Sequence, residues 1–154
     1  MAKVSDRGKQ TDKSLNLDNQ LCFALHAAAR SITKTYMETL RDANLTYPQY
    51  LVLIVLLEHE QLKVSEIGSK LRLDSGTLTP LIKRMEADGI VTRRRATTDE
   101  REVYVSLTPE GRALRKVAKQ ARALVVQRLD MSNSEIRELR TELMDIADRV
   151  GAEP

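Results

Sequence analysis

Between Val64 and Leu107 the apolar pattern changes period, and that change restricts the fold more than any other feature of the chain. In "VSEIGSKL", residues 64–71, Val64, Ile67 and Leu71 recur at helical spacing. "RLD" turns the chain. "SGTLTPLIKRMEADG" then sets Leu78, Leu81, Ile82 and Met85 on one face, and Gly89 stands just past the helix end, where glycine closes a helix. From Val91 the spacing falls to two: "IVTRRRATTDEREVYVSLT", residues 90–108, has Val103, Val105 and Leu107 alternating with other residues after a polar tip "ATTDE". Two short helices joined by a tight turn and followed by a hairpin make a winged helix-turn-helix. An ordinary helical pair in a bundle is the competing reading of the two helices alone, and the hairpin weighs against it.

The polar residues left over by this pattern indicate a partner. Ser75, Thr77, Thr79, Lys83 and Arg84 fall on the outer face of the second helix. If that helix opens at Asp74 or Ser75, then Ser75, Gly76, Thr77 and Thr79 stand at its positive end, facing phosphates and base edges. Pro80 lies deep for a proline, so the first turn is expected to be irregular or to start late. Arg93, Arg94, Arg95 and Arg101 crowd one end of the hairpin, which suits phosphate contact and a narrow minor groove. A charge run is ordinarily a solvated surface; its place directly after a helix-turn-helix gives this one a use. The net charge of +3 adds only a weak pull toward an anionic partner.

The flanks read as helices. The first dozen residues are polar and aperiodic, as in a flexible arm. From Asp18, Leu21, Leu25, Ala28 and Ile32 recur at helical spacing, predicting one long helix as far as Asn44. In "LTYPQY", Thr46 and Gln49 form a capping box, Leu45 and Tyr50 a hydrophobic staple, and Pro48 fits a first turn; the buried helix "PQYLVLIVLLEHE" follows. Thr108 and Pro109 open one helix through "EGRALRKVAKQARALVVQRL", and Ser132 with Glu135 opens "SEIRELRTELMDIADRV", whose stripe is Ile136, Leu139, Leu143, Ile146 and Val150 before Gly151. The fold class expected is mainly α with a small β-hairpin wing. Residues 1–44 form the arm and an N-terminal dimerisation and sensor helix, 45–108 the winged helix-turn-helix, and 109–154 the C-terminal dimerisation helices. A twofold homodimer would double a short half-site on a pseudo-palindromic double-stranded DNA operator. The single cysteine and two histidines, His26 and His59, predict no disulfide within the chain, no metal and no cofactor. No apolar run approaches the roughly 18 residues that span a membrane, so a cytoplasmic protein is expected.

From about residue 16 onward the chain resembles the MarR family of regulators. Within it, "LDNQLCFAL", "LTYPQYL", "VSEIGSKLRLDSGTLTPLIKRME" and "DEREVYVSLTPEG" are similar to the organic-hydroperoxide-sensing branch, often called OhrR. The resemblance implies a homodimeric repressor that leaves its operator when one N-terminal cysteine, here Cys22 in "NQLCF", is oxidised by an organic hydroperoxide or hypochlorous acid. It also implies that Tyr36 and Tyr47 hydrogen-bond the thiol. It sets Ser75 to Pro80 against the major groove, with Lys83 and Arg84 as phosphate anchors. Asp99 and Arg101 match the family's D-x-R signature, Asp99 fixing the hairpin and Arg101 reaching into the minor groove. Fourteen residues of helix separate Cys22 from Tyr36, about 21 Å along the axis at roughly 1.5 Å per residue, so the tyrosine serving a thiol must come from the partner subunit.

A lone cysteine among leucines and Phe23 is more often an inert filler. Against that, Cys22 lies within about a turn of the expected helix start, where free amides and tyrosine hydroxyls favour negative charge. Some relatives carry a resolving cysteine in the helix after the wing; this chain has Gln127 and Met131 in that region, so any disulfide must form with a low-molecular-weight thiol or another protein. His26 stands where relatives often have tyrosine, and an ordinary hydrogen-bonded histidine explains it as well as a sensing role does. Two other functions compete: a MarR-type regulator answering a small aromatic ligand, with Cys22 structural, and a thiol peroxidase. The second would leave the wing unexplained.

Overall fold

The computed structural model describes residues 13–97, 99 and 101–151. The chain divides into two compact units, residues 1–34 and 35–154. In the first, short 3-10 turns at Lys13–Leu15 and Leu17–Asn19 are knitted by side chains: Asn19 Nδ2 donates to Lys13 O (2.7 Å) and Gln20 Nε2 to Ser14 O (2.6 Å). Helix α1, Leu21–Leu40, starts there and runs on into the second unit. The expected start near Asp18 is therefore three residues early, because the chain spends them in the 3-10 turn. At the other end a 3-10 turn at Arg41–Ala43 takes over and Asn44 closes it with φ 54°, a left-handed position that asparagine tolerates.

In the second unit, Thr46 caps α2, Tyr47–Glu58, through the capping box with Gln49. This helix is buried nearly all round, through Gln49, Tyr50, Val52, Leu53, Val55 and Leu56, so it is the centre against which the other elements pack. Strand β1, Leu62–Lys63, leads directly into α3, Val64–Leu71. Arg72 turns the chain in the left-handed region (φ 55°), and α4 runs Ser75–Ala87. Leu78, Ile82 and Met85 are fully buried beneath it, each contributing on the order of 1.5–3 kcal/mol of burial. Gly89 (φ +71°) then takes the chain off the helix.

The sheet has the order β1-β3-β2, with β2 at Val91–Arg95 and β3 at Val103–Leu107 paired antiparallel from Val91↔Leu107 to Arg95↔Val103. The third strand, β1, pairs Leu62 with Val105 and Lys63 with Tyr104, so the wing is joined to the start of the helix-turn-helix. Two expectations need correction. The proline in α4 does not disturb its first turn, because the Asp74 side chain and carbonyl already hold Thr77 N (2.9 Å) and Leu78 N (3.0 Å) before Pro80 withholds its own bond. The helix after the wing is two helices, α5 (Pro109–Ala113) and α6 (Arg115–Leu129), broken at Leu114. The cause lies outside the segment: Thr108 N donates to Ile90 O (3.0 Å), and Gly111 is seated so close that a Cβ there would stand 2.1 Å from Ile90 O. The first turn is tied to the wing base, Leu114 N falls back to Gly111 O, and Ala118 N restarts the ladder on Leu114 O. Ser132 and Glu135 open α7, Asn133–Gly151, as a reciprocal box.

Candidate DNA-binding and redox sites

At the start of α4, Asp74 is the cap: Oδ1 accepts Thr77 N and Oδ2 accepts the Thr77 hydroxyl, both at 2.9 Å. Those bonds, the backbone one foremost, hold its carboxyl below the usual carboxylate range. A side chain on Gly76 would press on Asp74 Oδ1 at 2.9 Å, so glycine leaves the cap its room. The Thr77 hydroxyl thus has an internal partner. Ser75, Gly76, Thr77, Pro80, Lys83 and Arg84 are exposed and Thr79 is half-buried, so these candidates share one helix and one accessible side.

The wing arginines are not equivalent. Arg93 donates through Nε to Glu86 Oε2 (2.7 Å) and through its backbone N to Glu86 Oε1 (3.2 Å), which commits it to the end of α4. Arg94, Arg95 and Arg101 are exposed and have no ion pair among the described residues. Asp99 shapes the tip: its Oδ1 accepts Arg101 N (2.9 Å) and its carbonyl accepts Glu102 N (3.0 Å). A cavity of about 260 Å³ separates the wing from α3 and α4, lined among others by Lys63, Ser75, Thr79, Arg93, Arg101 and Glu102.

The redox candidates fall in different units. Cys22, the second residue of α1, is a free and exposed cysteine, with Leu21 and Phe23 beside it also exposed in the single chain. In the second unit, Tyr36 lies against Tyr47 with ring centroids 5.2 Å apart. Tyr50, which sequence reasoning took only for a staple residue, completes the group at 4.9 Å from Tyr36 and 5.8 Å from Tyr47. Its position three residues after Tyr47 on α2 is the signal that would have found it. Burial and then the neighbouring Tyr36 raise both Tyr47 and Tyr50 above the ordinary phenol value, Tyr50 far above it. These rings stay neutral donors.

A helix-turn-helix with a basic three-stranded wing defines a winged-helix DNA-binding regulator. The profile described as Transcriptional regulator SarA/Rot matches residues 34–117. The organic hydroperoxide resistance transcriptional regulator of Bacillus subtilis is 43% identical over 134 residues, which is 87% of this chain and 91% of that one. TtmR, an HTH-type transcriptional regulator of Methylorubrum extorquens, is 54% identical over 112 residues, 73% of this chain and 56% of its own length. Among solved structures, reduced AbfR bound to DNA matches with a TM-score of 0.76 at 31% identity, covering 91% of this chain and 98% of that one. AbfR comes from Staphylococcus epidermidis, and its disulfide form gives a TM-score of 0.64 at 32% identity over 87% of this chain and 94% of that one. The chain belongs to the SarA/Rot and MarR-type winged-helix transcriptional regulators, in the organic hydroperoxide resistance branch. No helix among the described residues is long and apolar enough to cross a membrane.

Proposed function

We propose that the protein is a homodimeric repressor that binds a pseudo-palindromic operator and releases it when Cys22 is oxidised by an organic hydroperoxide. The observation that carries the reading is the likeness to the organic hydroperoxide resistance regulator of Bacillus subtilis, together with the one cysteine of the sequence standing in the first turn of α1. The chemistry balances without a second protein cysteine: thiol and ROOH give sulfenic acid and ROH, and a low-molecular-weight thiol then gives a mixed disulfide and water. Tyr36 is assigned to the partner's thiol, since fourteen residues of helix separate it from Cys22 in its own chain, and Tyr47, whose ring centroid lies 5.2 Å from that of Tyr36, is assigned with it. The DNA-bound reduced form of AbfR and the hydroperoxide resistance regulator of B. subtilis support the same reading.

Dimerisation is supported by apolar residues left in water by the single chain: Leu139, Leu143, Met144 and Val150 on α7, and Leu15, Leu17, Leu21 and Phe23 ahead of and within α1. On DNA, the exposed outer side of α4 from Ser75 to Pro80 takes the major groove and Lys83 and Arg84 the phosphates. Arg101, held by Asp99, enters the minor groove with Arg94 or Arg95 beside it. Arg93, neutralised by Glu86, contributes least of the wing arginines.

The test is a gel shift with Cys22→Ser. That protein should bind operator as wild type does and stay bound when organic hydroperoxide is added. Release of DNA by the variant, with methionine oxidation excluded, would make Cys22 structural and leave a small aromatic ligand as the inducer.

A further inference from the structure

Two ion pairs hold the wing against the helices. Arg93–Glu86 ties β2 to the end of α4, and Lys63–Glu102, with Nζ and Oε1 2.6 Å apart, ties β1 to the residue just before β3. The second pair is unlike an ordinary surface contact in its surroundings. Each side chain is about one-third exposed, and the Lys63 ammonium also lies 5.7 Å from the centroid of the Tyr104 ring, its partner across the sheet. Both ends are fixed by backbone bonds. Lys63 N donates to Glu66 Oε2 (2.7 Å) at the start of α3, Glu102 N donates to Asp99 O (3.0 Å), and Glu102 O accepts Ala96 N (2.9 Å) to close the hairpin. Glu102 is thus where the tip, the strand pair and the helix-turn-helix are joined, one residue after Arg101.

We propose that Lys63 and Glu102 form a clasp that sets where the wing tip stands relative to α4, and so act as positioning residues for Arg101. A pair this exposed contributes little to global stability. Its effect is on reach: Arg101 and Thr79 line the same cavity between wing and helix, so the distance between the two DNA-reading elements depends on what spans that gap. Holding the tip in place before DNA arrives removes an ordering cost from binding. The inference rests on Arg101 entering the DNA, and the experiment separates the two.

Affinity and its salt dependence are measured with the full-length protein on a duplex that the wild type selects from a random-sequence pool. Lys63→Met and Glu102→Gln should each weaken binding about threefold to tenfold, and Lys63→Met should have no further effect once Arg101 is Ala. Exchanging the charges, Lys63→Glu with Glu102→Lys, should restore binding to within about twofold of wild type, with a dissociation midpoint in salt close to the original. Additive losses from Lys63→Met and Arg101→Ala, or no rescue by the exchange, would make Lys63 a direct phosphate contact and overturn the clasp. So would a Lys63→Met protein of unchanged affinity. If Arg101→Ala itself binds as wild type does, the assignment of Arg101 fails and the clasp fails with it.

Discussion

Replacing Gly111 by alanine adds a single methyl where α5 meets the base of the wing. The new carbon would stand 2.1 Å from Ile90 O, 3.1 Å from Ile90 C and 3.2 Å from Leu107 Cδ2. A carbon and a carbonyl oxygen need about 3.3 Å, so the two backbone segments must part by roughly 1 Å. Ile90 O accepts Thr108 N at 3.0 Å and lies 3.1 Å from the Thr108 hydroxyl, which itself donates to Gly89 O at 2.7 Å, so that separation strains the bonds that seat the helix cap. Overpacking of this kind costs about 1–3 kcal/mol, each weakened bond about 0.5–1.5 kcal/mol, and the better helix propensity of alanine returns up to about 1 kcal/mol. The net expectation is a loss of about 2–4 kcal/mol, a large part of the roughly 5–15 kcal/mol typical of a folded domain. Urea unfolding at one protein concentration would measure it, with Gly151→Ala as the control, since nothing lies within 4 Å of a Cβ there. A Gly111→Ala midpoint equal to that of the control would refute the contact as a constraint.

Two other outcomes follow from the same structure. Tyr47 and Tyr50 have folded-state values raised above 10.0, first by burial and then by Tyr36; their contribution is complete below the unfolded value and is lost as pH rises above about 10. Tyr50→Phe should flatten the alkaline fall of the urea midpoint, and an unaltered slope would show that other groups set it. Changing Leu139 and Leu143 of α7 together to Glu should give a monomer in sedimentation and abolish tight operator binding; an intact dimer would move the interface elsewhere.

What could be read from the sequence was local. The change of period between Val64 and Leu107, the boxes at Thr46/Gln49 and Ser132/Glu135, and the Thr108 cap all join residues a few positions apart, and each appears in the structure. What could not be read joins distant segments. Strand β1 is two residues long and is defined only by Val105 and Tyr104, some forty positions on. The break at Leu114 is imposed by the carbonyl of Ile90, and periodicity within the helix carries no trace of it. In the candidate site the arginine run looked uniform, yet Glu86 takes Arg93 out of it. Tyr50 looked like a staple residue for α2 until Tyr36 arrived from another helix.

The order of the sheet has a consequence for the protein when no DNA is bound. With β3 in the middle, β2 has a strand on one side only, and part of its other edge is closed by Glu86 Oε1, which accepts the backbone N of Arg93 (3.2 Å). Arg94 and Arg95 are successive residues of that edge strand, so their side chains leave on opposite faces, and a second wing aligning from either side meets a guanidinium. Arg93 cannot serve in this way, since its charge is spent on Glu86. Two exposed cations on the edge strand therefore weigh against pairing between the wings of neighbouring molecules.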